Sequence, residues 1–450
     1  MGLTRQRRAA SRAATAGVVL GLVGCVVACA PPGPASESPP SIGAPTASGA
    51  GPPGQDAGGD PSTRAARRAA AELLAVRGVA LAARDRTGWL ATVADPGSDE
   101  GRRQGTAYDN LVALGVRQLT VSSIRDLPVV PSSATGAGPV SGASWTGVVE
   151  MAWAIPGYDS GGRSTTRTIR IVDTDAGWRV ARDGGPTDQL QAWDLGALAV
   201  ERSTSTLLVG DVDPATLRAR LADAAAAQDR LGRLVGGTTP AVLVVPADPT
   251  AAARQLGRPD AASLGSLAAA TDGPLGPDGR SVADRVVVNP AGFAALTDEG
   301  RRVVVAHELT HVAVRATVPG DVPTWLSEGL AEYVAMQGVS VPDTVVAARL
   351  LERVRAQGVP SALPSSVDFE PTRAQVPTAY QQAWLAVRAI ATRYGEPTLM
   401  AFYRRAAGAA GPGGGTADAR TVAALGEVLG TTPEAFLAAC GAELRALAAA

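Results

Sequence analysis

The stretch "VVVAHELTHVAVRA", Val303 to Ala316, constrains this chain more than any other. It holds both histidines of the 450 residues, His307 and His311, with Glu308 directly after the first. Apolar residues surround the three on both sides, so a helix here is buried on several faces. Its polar residues must then face a shared cleft or remain unsatisfied. On an α-helix, positions i and i+4 lie one above the other. His307 and His311 can therefore present ring nitrogens to one metal ion. Glu308 sits about 100° round the helix from His307, beside that ion and not on it, where a general base must be to take a proton from an attacking water. Thr297 is placed to cap the helix, and Asp298 and Glu299 suit its first turn. Two histidines placed at random in such a chain fall four apart in about one case in two hundred, and with an acid after the first in roughly one in two thousand. Chance is thus a poor account of the motif.

A zinc site of this kind needs a third ligand, and "PTWLSEGLAEYV" supplies a candidate separated from His311 by sixteen residues. Position 314 is Val and position 317 is Thr, which excludes the metzincin pattern of glycine and histidine there. "WLSEGLAEY" resembles the WLxEGxAxY segment of gluzincins such as the membrane aminopeptidases, and more closely that of the small peptidase-MA-like families. The resemblance implies that Glu328 ligates Zn2+ together with His307 and His311, and that Glu308 is the general base. It also implies a tyrosine on a later helix that donates to the oxyanion, for which Tyr380 is the candidate; Tyr333 and Tyr394 read as packing residues. Glu332 lies one turn after Glu328. It either accepts the second N–H of a ligating imidazole or is a solvated surface acid. The aminopeptidases carry a Gly-x-Met-Glu-Asn motif that holds a free N-terminus, and no such motif is present here. The expected activity is therefore that of an endopeptidase or unassigned peptidase on a peptide or protein substrate. The strand "DRVVVNP" is expected to edge the cleft and receive an extended peptide by backbone pairing. The competing reading is a non-catalytic, zinc-binding envelope module that acts as a scaffold.

The rest of the chain divides into four parts. Residues 1–29 read as an export signal: Arg5, Arg7, Arg8 and Arg12 precede an apolar run too short to span a membrane comfortably. "LVGC" and "VVAC" each resemble the bacterial lipobox. Cys29 is the preferred lipid acceptor, because the polar chain starts directly after it, and Cys25 is the alternative. Either implies a protein exported and lipid-anchored to the outer face of the cell membrane. Residues 30–61 are rich in Pro, Gly and Ser and form a disordered tether. Residues 62–195 read as three helices followed by strands "RQLTVSSI", "SWTGVVEMAWAI", "STTRTIRIVDT" and "GWRVARD". The "DAG" before Trp178 marks a hairpin. This α+β order resembles the curved-sheet cone of NTF2-like domains. Asp85 and Asp109 read there as capping or solvated acids. Residues 197–450 begin with strands "STSTLLVG", "AVLVVP", "SLAAAT" and "DRVVVNP", then the histidine helix, then helix almost throughout from Val376. That layout is the α+β arrangement of a zincin-type domain with a small sheet. Cys440, at helical spacing among apolar residues, reads as a buried thiol.

With 41 basic and 42 acidic residues the chain is nearly neutral. Every basic residue is Arg, since the sequence has no lysine. The balance leaves no basic stripe for nucleic acid, and 4 % aromatic residues are too few for base-stacking platforms. Mass spectrometry of the mature N-terminus is expected to find lipidated Cys29; a chain starting at lipidated Cys25 selects the alternative, and an unmodified N-terminus removes the anchor.

Overall fold

The structure, a computed structural model, describes residues 60–127, 143–408 and 415–450. The signal segment, Cys25, Cys29 and nearly all of the tether lie outside the described residues. Among the described residues no helix is long and apolar enough to cross a membrane. The chain is mixed α+β and forms two compact units. The first comprises the described residues up to Pro156 together with Gly162–Ala197; the second comprises Leu198–Ala450 with Gly157–Gly161.

In the first unit, Asp60 starts α1 (Pro61–Ala83) by accepting from the N–H groups of Ser62 and Thr63. Pro61 costs nothing there, because a first-turn N–H has no helical acceptor. Two further helices follow, α2 (Arg86–Leu90) and α3 (Asp99–Leu114). The expected second helix stops at Leu90, short of Asp95, because Val93 is drawn into a bridge with Val180. Four strands then form an antiparallel sheet in sequence order: β1 (Thr120–Asp126), β2 (Ser144–Trp153), β3 (Arg163–Thr174) and β4 (Gly177–Asp183). The β3–β4 hairpin closes at Thr174 opposite Gly177, whose φ of +85° is open to glycine at little cost. Residues alternate between faces along β2. Trp145, Val149 and Met151, with Ile169 and Ile171 of β3 and Val180 of β4, pack under Ala66, Ala70, Leu73 and Leu74 of α1.

The second unit carries a five-stranded sheet of mixed parallel and antiparallel strands. β5 (Ala199–Arg202) pairs antiparallel with β6 (Thr206–Gly210), a hairpin of which only the second strand was expected. α4 (Pro214–Val235), capped by Asp213, connects β6 to the parallel β7 (Ala241–Val245). After α5 (Pro249–Gln255) comes the short β8 (Ala269–Asp272), antiparallel to β9 (Arg285–Val288), which in turn lies parallel to β7. β6, β7 and β9 are buried along their whole length, as continuous apolar runs in a parallel sheet must be. This corrects the expectation for "DRVVVNP". That strand is β9, and its backbone is paired by β7 on one side and β8 on the other. It cannot accept a peptide as a further strand. The edge beside it is β8, sequence "AATD". The remainder is helical: α6 (Pro290–Ala294), α7 (Asp298–Thr317), α8 (Thr324–Met336), α9 (Asp343–Val346), α10 (Ala348–Gln357), α11 (Val376–Tyr394), α12 (Glu396–Ala407), α13 (Ala417–Leu429) and α14 (Pro433–Ala449). α7 packs on α4 and on α8, and α8 packs on α11.

A buried ion network ties the helices of the first unit to its sheet. Asp183, at the end of β4, accepts from Arg77 of α1 at 2.8 Å and from Arg167 of β3 at 2.7 Å. Arg167 also holds Asp194 with two parallel bonds of 2.8 and 2.9 Å. Burial by itself would raise the Asp183 carboxyl, but the charges of Arg167 and Arg77 outweigh it and hold it down at about 2. Folded Asp183 thus binds its proton more weakly than the ordinary value of 3.8. Its contribution is complete above pH 3.8 and is lost as pH falls toward 2, on the order of 2 kcal/mol. Asp183→Asn leaves two buried arginines undercompensated and is expected to cost about 3–5 kcal/mol in the first unit. Urea titrations of both proteins at pH 7 and below pH 4 check this: the difference between them should narrow in acid.

Candidate metal centre

α7 is set by its start and its surroundings. Thr297 Oγ1 accepts from the N–H of Gly300 at 3.1 Å, and Asp298 and Glu299 fill the first turn. Val303 to Ala306, Leu309 and Val312 to Val314 are all buried, so no face is left to water along the middle of the helix. His307, Glu308 and His311 are carried inward with them, at 1, 0 and 3 % exposure.

α8 brings the next carboxylate. Trp325, Leu326 and Leu330 are buried, and Glu328 between them is 1 % exposed. Gly329 lets this helix approach α11. A Cβ at Gly329 would lie 2.5 Å from the carbonyl oxygen of Ala383 and 2.7 Å from Val387 Cγ2. The first neighbour is backbone and cannot yield, so only glycine permits this crossing. The glycine after the glutamate therefore has a packing reason, and it fixes the turn that carries Glu328.

The side chains converge on one point. His307 Nε2 is 3.0 Å from His311 Nε2, and Glu328 Oε2 lies 3.1 Å from the first and 3.4 Å from the second. Three lone pairs aimed at one buried spot repel unless a cation or a proton sits among them. The proton affinities express that demand. Burial works against a charged His307, but hydrogen bonds to Glu328 and Glu332 outweigh it and raise the imidazole to about 10. Burial likewise works against ionised Glu328, but the charge of His311 and the hydrogen bond to His307 hold it at about 2. His307, His311 and Glu328 form a group able to hold a metal ion. Three protein donors of this N,N,O type leave a fourth position for a water or substrate, which is the arrangement of catalytic zinc sites.

The neighbours are arranged around that group. Glu332 Oε1 lies 3.5 Å from His307 Nδ1, so α8 brings both its glutamates to the same imidazole. Glu308 is not one of the three donors. Its Oε2 accepts from Thr271 Oγ1 at 2.5 Å, and its Oε1 is buried with no hydrogen-bond partner. Burial raises the Glu308 carboxyl, with the charges of His307 and His311 and the Thr271 bond acting against it. The ring of Tyr380, on α11, packs 6.1 Å from that of His307, and Phe369 stands edge-on to Tyr380 at 5.0 Å. Thr271 and Phe369 had no signal in the sequence: one lies in a small-residue run, the other in a connecting segment.

Other candidates fall elsewhere. Asp85 caps α2 and Asp109 forms an exposed pair with Arg86. Cys440 is half-buried on α14, and burial pushes its thiol up to about 12, away from nucleophilic use. Tyr333 donates to Glu396 at 2.9 Å, and Tyr394 packs at the margin of the second unit's core.

No protein-family model matches the chain, and neither does any curated protein. Among solved structures it is similar to a crystal structure of an M1 zinc metallopeptidase variant from Deinococcus radiodurans, at 15 % identity and a TM-score of 0.34. The match covers 66 % of this chain and spans 61 % of the length of that one.

Dialysis against a divalent transition metal, followed by elemental analysis, is expected to retain about one ion per chain. His311→Ala and Glu328→Ala should abolish retention. Glu332→Gln should keep the stoichiometry and weaken affinity about 10- to 100-fold; unchanged affinity assigns Glu332 to the solvated surface.

Proposed function

We propose that the second unit is a zinc-dependent metallopeptidase. The observation that carries this reading is the convergence of His307 Nε2, His311 Nε2 and Glu328 Oε2 with a separately held carboxylate, Glu308, beside them. The donor set of two imidazoles and one carboxylate suits Zn2+ with an open position. Bound there, Zn2+ would supply a Lewis acid that brings the pKa of water down to about 7 and polarises a carbonyl.

The protein's own groups do the rest. Glu308, whose carboxyl burial raises, accepts the proton of the attacking water at its unpartnered Oε1. It then returns that proton to the leaving nitrogen of the cleaved peptide bond. Tyr380, packed against His307, donates its hydroxyl proton as a hydrogen bond to the carbonyl oxygen as negative charge develops there. Glu332, whose Oε1 lies 3.5 Å from His307 Nδ1, is the group that would take that N–H and keep Nε2 directed at the donor group. An extended peptide or protein segment pairs with the outer edge of β8, which has no strand on that side among the described residues. The chain does this work outside the cell, tethered by a lipid on Cys29 or Cys25.

Glu308→Gln preserves the shape of the side chain and removes the base. It should retain zinc at wild-type stoichiometry while peptide-library cleavage falls about 10²- to 10⁴-fold. Cleavage that survives the substitution would eliminate this mechanism. Full zinc occupancy with no cleavage by the wild-type protein would favour the scaffold role. Tyr380→Phe should lower kcat about 10²-fold with zinc content unchanged.

A further inference from the structure

The edge strand β8 does more than border the site. Its Thr271 is 2 % exposed and reaches the buried carboxylate of Glu308 from the sheet side. The hydroxyl has one proton and two acceptors in range. Glu308 Oε2 is at 2.5 Å, and the Glu308 carbonyl oxygen is at 3.3 Å. The first is the length of a charge-assisted O–H···O⁻ bond and the second is too long to compete with it. The proton of Thr271 therefore goes to Oε2. The Thr271 backbone is fixed in turn, because it pairs with Val286 of β9. Its branched Cβ further limits the side chain to few rotamers, so the hydroxyl is held in place before any substrate arrives. Among the described residues no other hydrogen bond constrains the Glu308 carboxylate, whose Oε1 has no partner.

We propose that Thr271 is a positioning residue that selects which oxygen of Glu308 transfers the proton. By occupying Oε2 it fixes the carboxylate plane and leaves Oε1 as the accepting atom. Its hydroxyl acts through Glu308, to which it is bonded. The proposal rests on the reading of Glu308 as the general base, and its test separates the two.

Thr271→Val keeps the shape and removes the hydroxyl; Thr271→Ser keeps the hydroxyl and removes a methyl. In the full zinc-loaded chain, Thr271→Val should lower kcat about 10- to 100-fold, as loss of reactive geometry does. KM and zinc stoichiometry should stay at wild-type values, and Thr271→Ser should restore most of the turnover. Equal losses in the two variants, or a loss confined to KM, would overturn the proposal. A second readout needs no turnover. In metal-free protein, the drop in Tm caused by Thr271→Val should largely vanish in a Glu308→Met background, where the acceptor is gone. A drop of the same size in both backgrounds overturns the proposal whatever the activity. If the wild-type protein cleaves nothing, the base assignment fails, while the melting comparison still decides whether Thr271 is coupled to Glu308.

Discussion

Two imidazoles and two carboxylates, those of His307, His311, Glu308 and Glu328, are each at most 3 % exposed, and a protein interior accepts such groups only when each has a hydrogen bond or a compensating charge. The second unit is organised around that demand. α7 is apolar on every side at its middle, so it cannot turn its ionisable residues to water. It must instead receive partners from other elements. α8 delivers Glu328 and Glu332, β8 delivers Thr271, and α11 seals the far side with Tyr380. The close crossing of α8 and α11 at Gly329 belongs to the same requirement, because any larger residue would push apart the helices that bury Glu328.

The sheet enters through its order, not its composition. β6, β7 and β9 are interchangeable as apolar runs, and a sequence does not say which of them is internal. The short run "AATD" becomes the edge only because the chain turns back antiparallel before β9 and covers the side that β9 would otherwise expose. That one reversal moves the available backbone from β9 to β8. It also places the Thr271 hydroxyl against the carboxylate of Glu308.

Legibility followed the strength of local constraint. The spacing of His307 and His311 and the cap at Thr297 are governed by helix geometry, which a single sequence displays directly, whereas Glu328 stood out only through the resemblance of its segment to that of the gluzincins. The four strands of the first unit alternate or carry a turn signal, and they appear where expected. Thr271 was invisible for the opposite reason: its importance comes from a contact 37 residues away in sequence. β5 was missed because its four residues, three half-buried and Arg202 exposed, show no alternation. The early end of α2 was missed because a tertiary bridge between Val93 and Val180 overrode local helical preference. The Asp183 network is of the same kind, since Arg77 and Arg167 meet only once helix and sheet are packed.

Charge balance sets the two buried glutamates apart. With both imidazoles neutral and both carboxylates ionised, the buried site carries two negative charges, which a low-dielectric interior strongly disfavours. Without a metal, protons supply the balance: the imidazole of His307 is raised to about 10, and burial raises the carboxyl of Glu308. A dication supplies the same two charges at a single point. It must take that point from the proton on His307, where Nε2, His311 Nε2 and Glu328 Oε2 meet. Glu328 belongs to that meeting point and is held ionised at about 2, so it is ready to ligate. Glu308 lies off it, with Oε2 held by Thr271 and its proton affinity set by burial. Of two carboxylates, the one that binds its proton more tightly is the one suited to carry protons during a reaction.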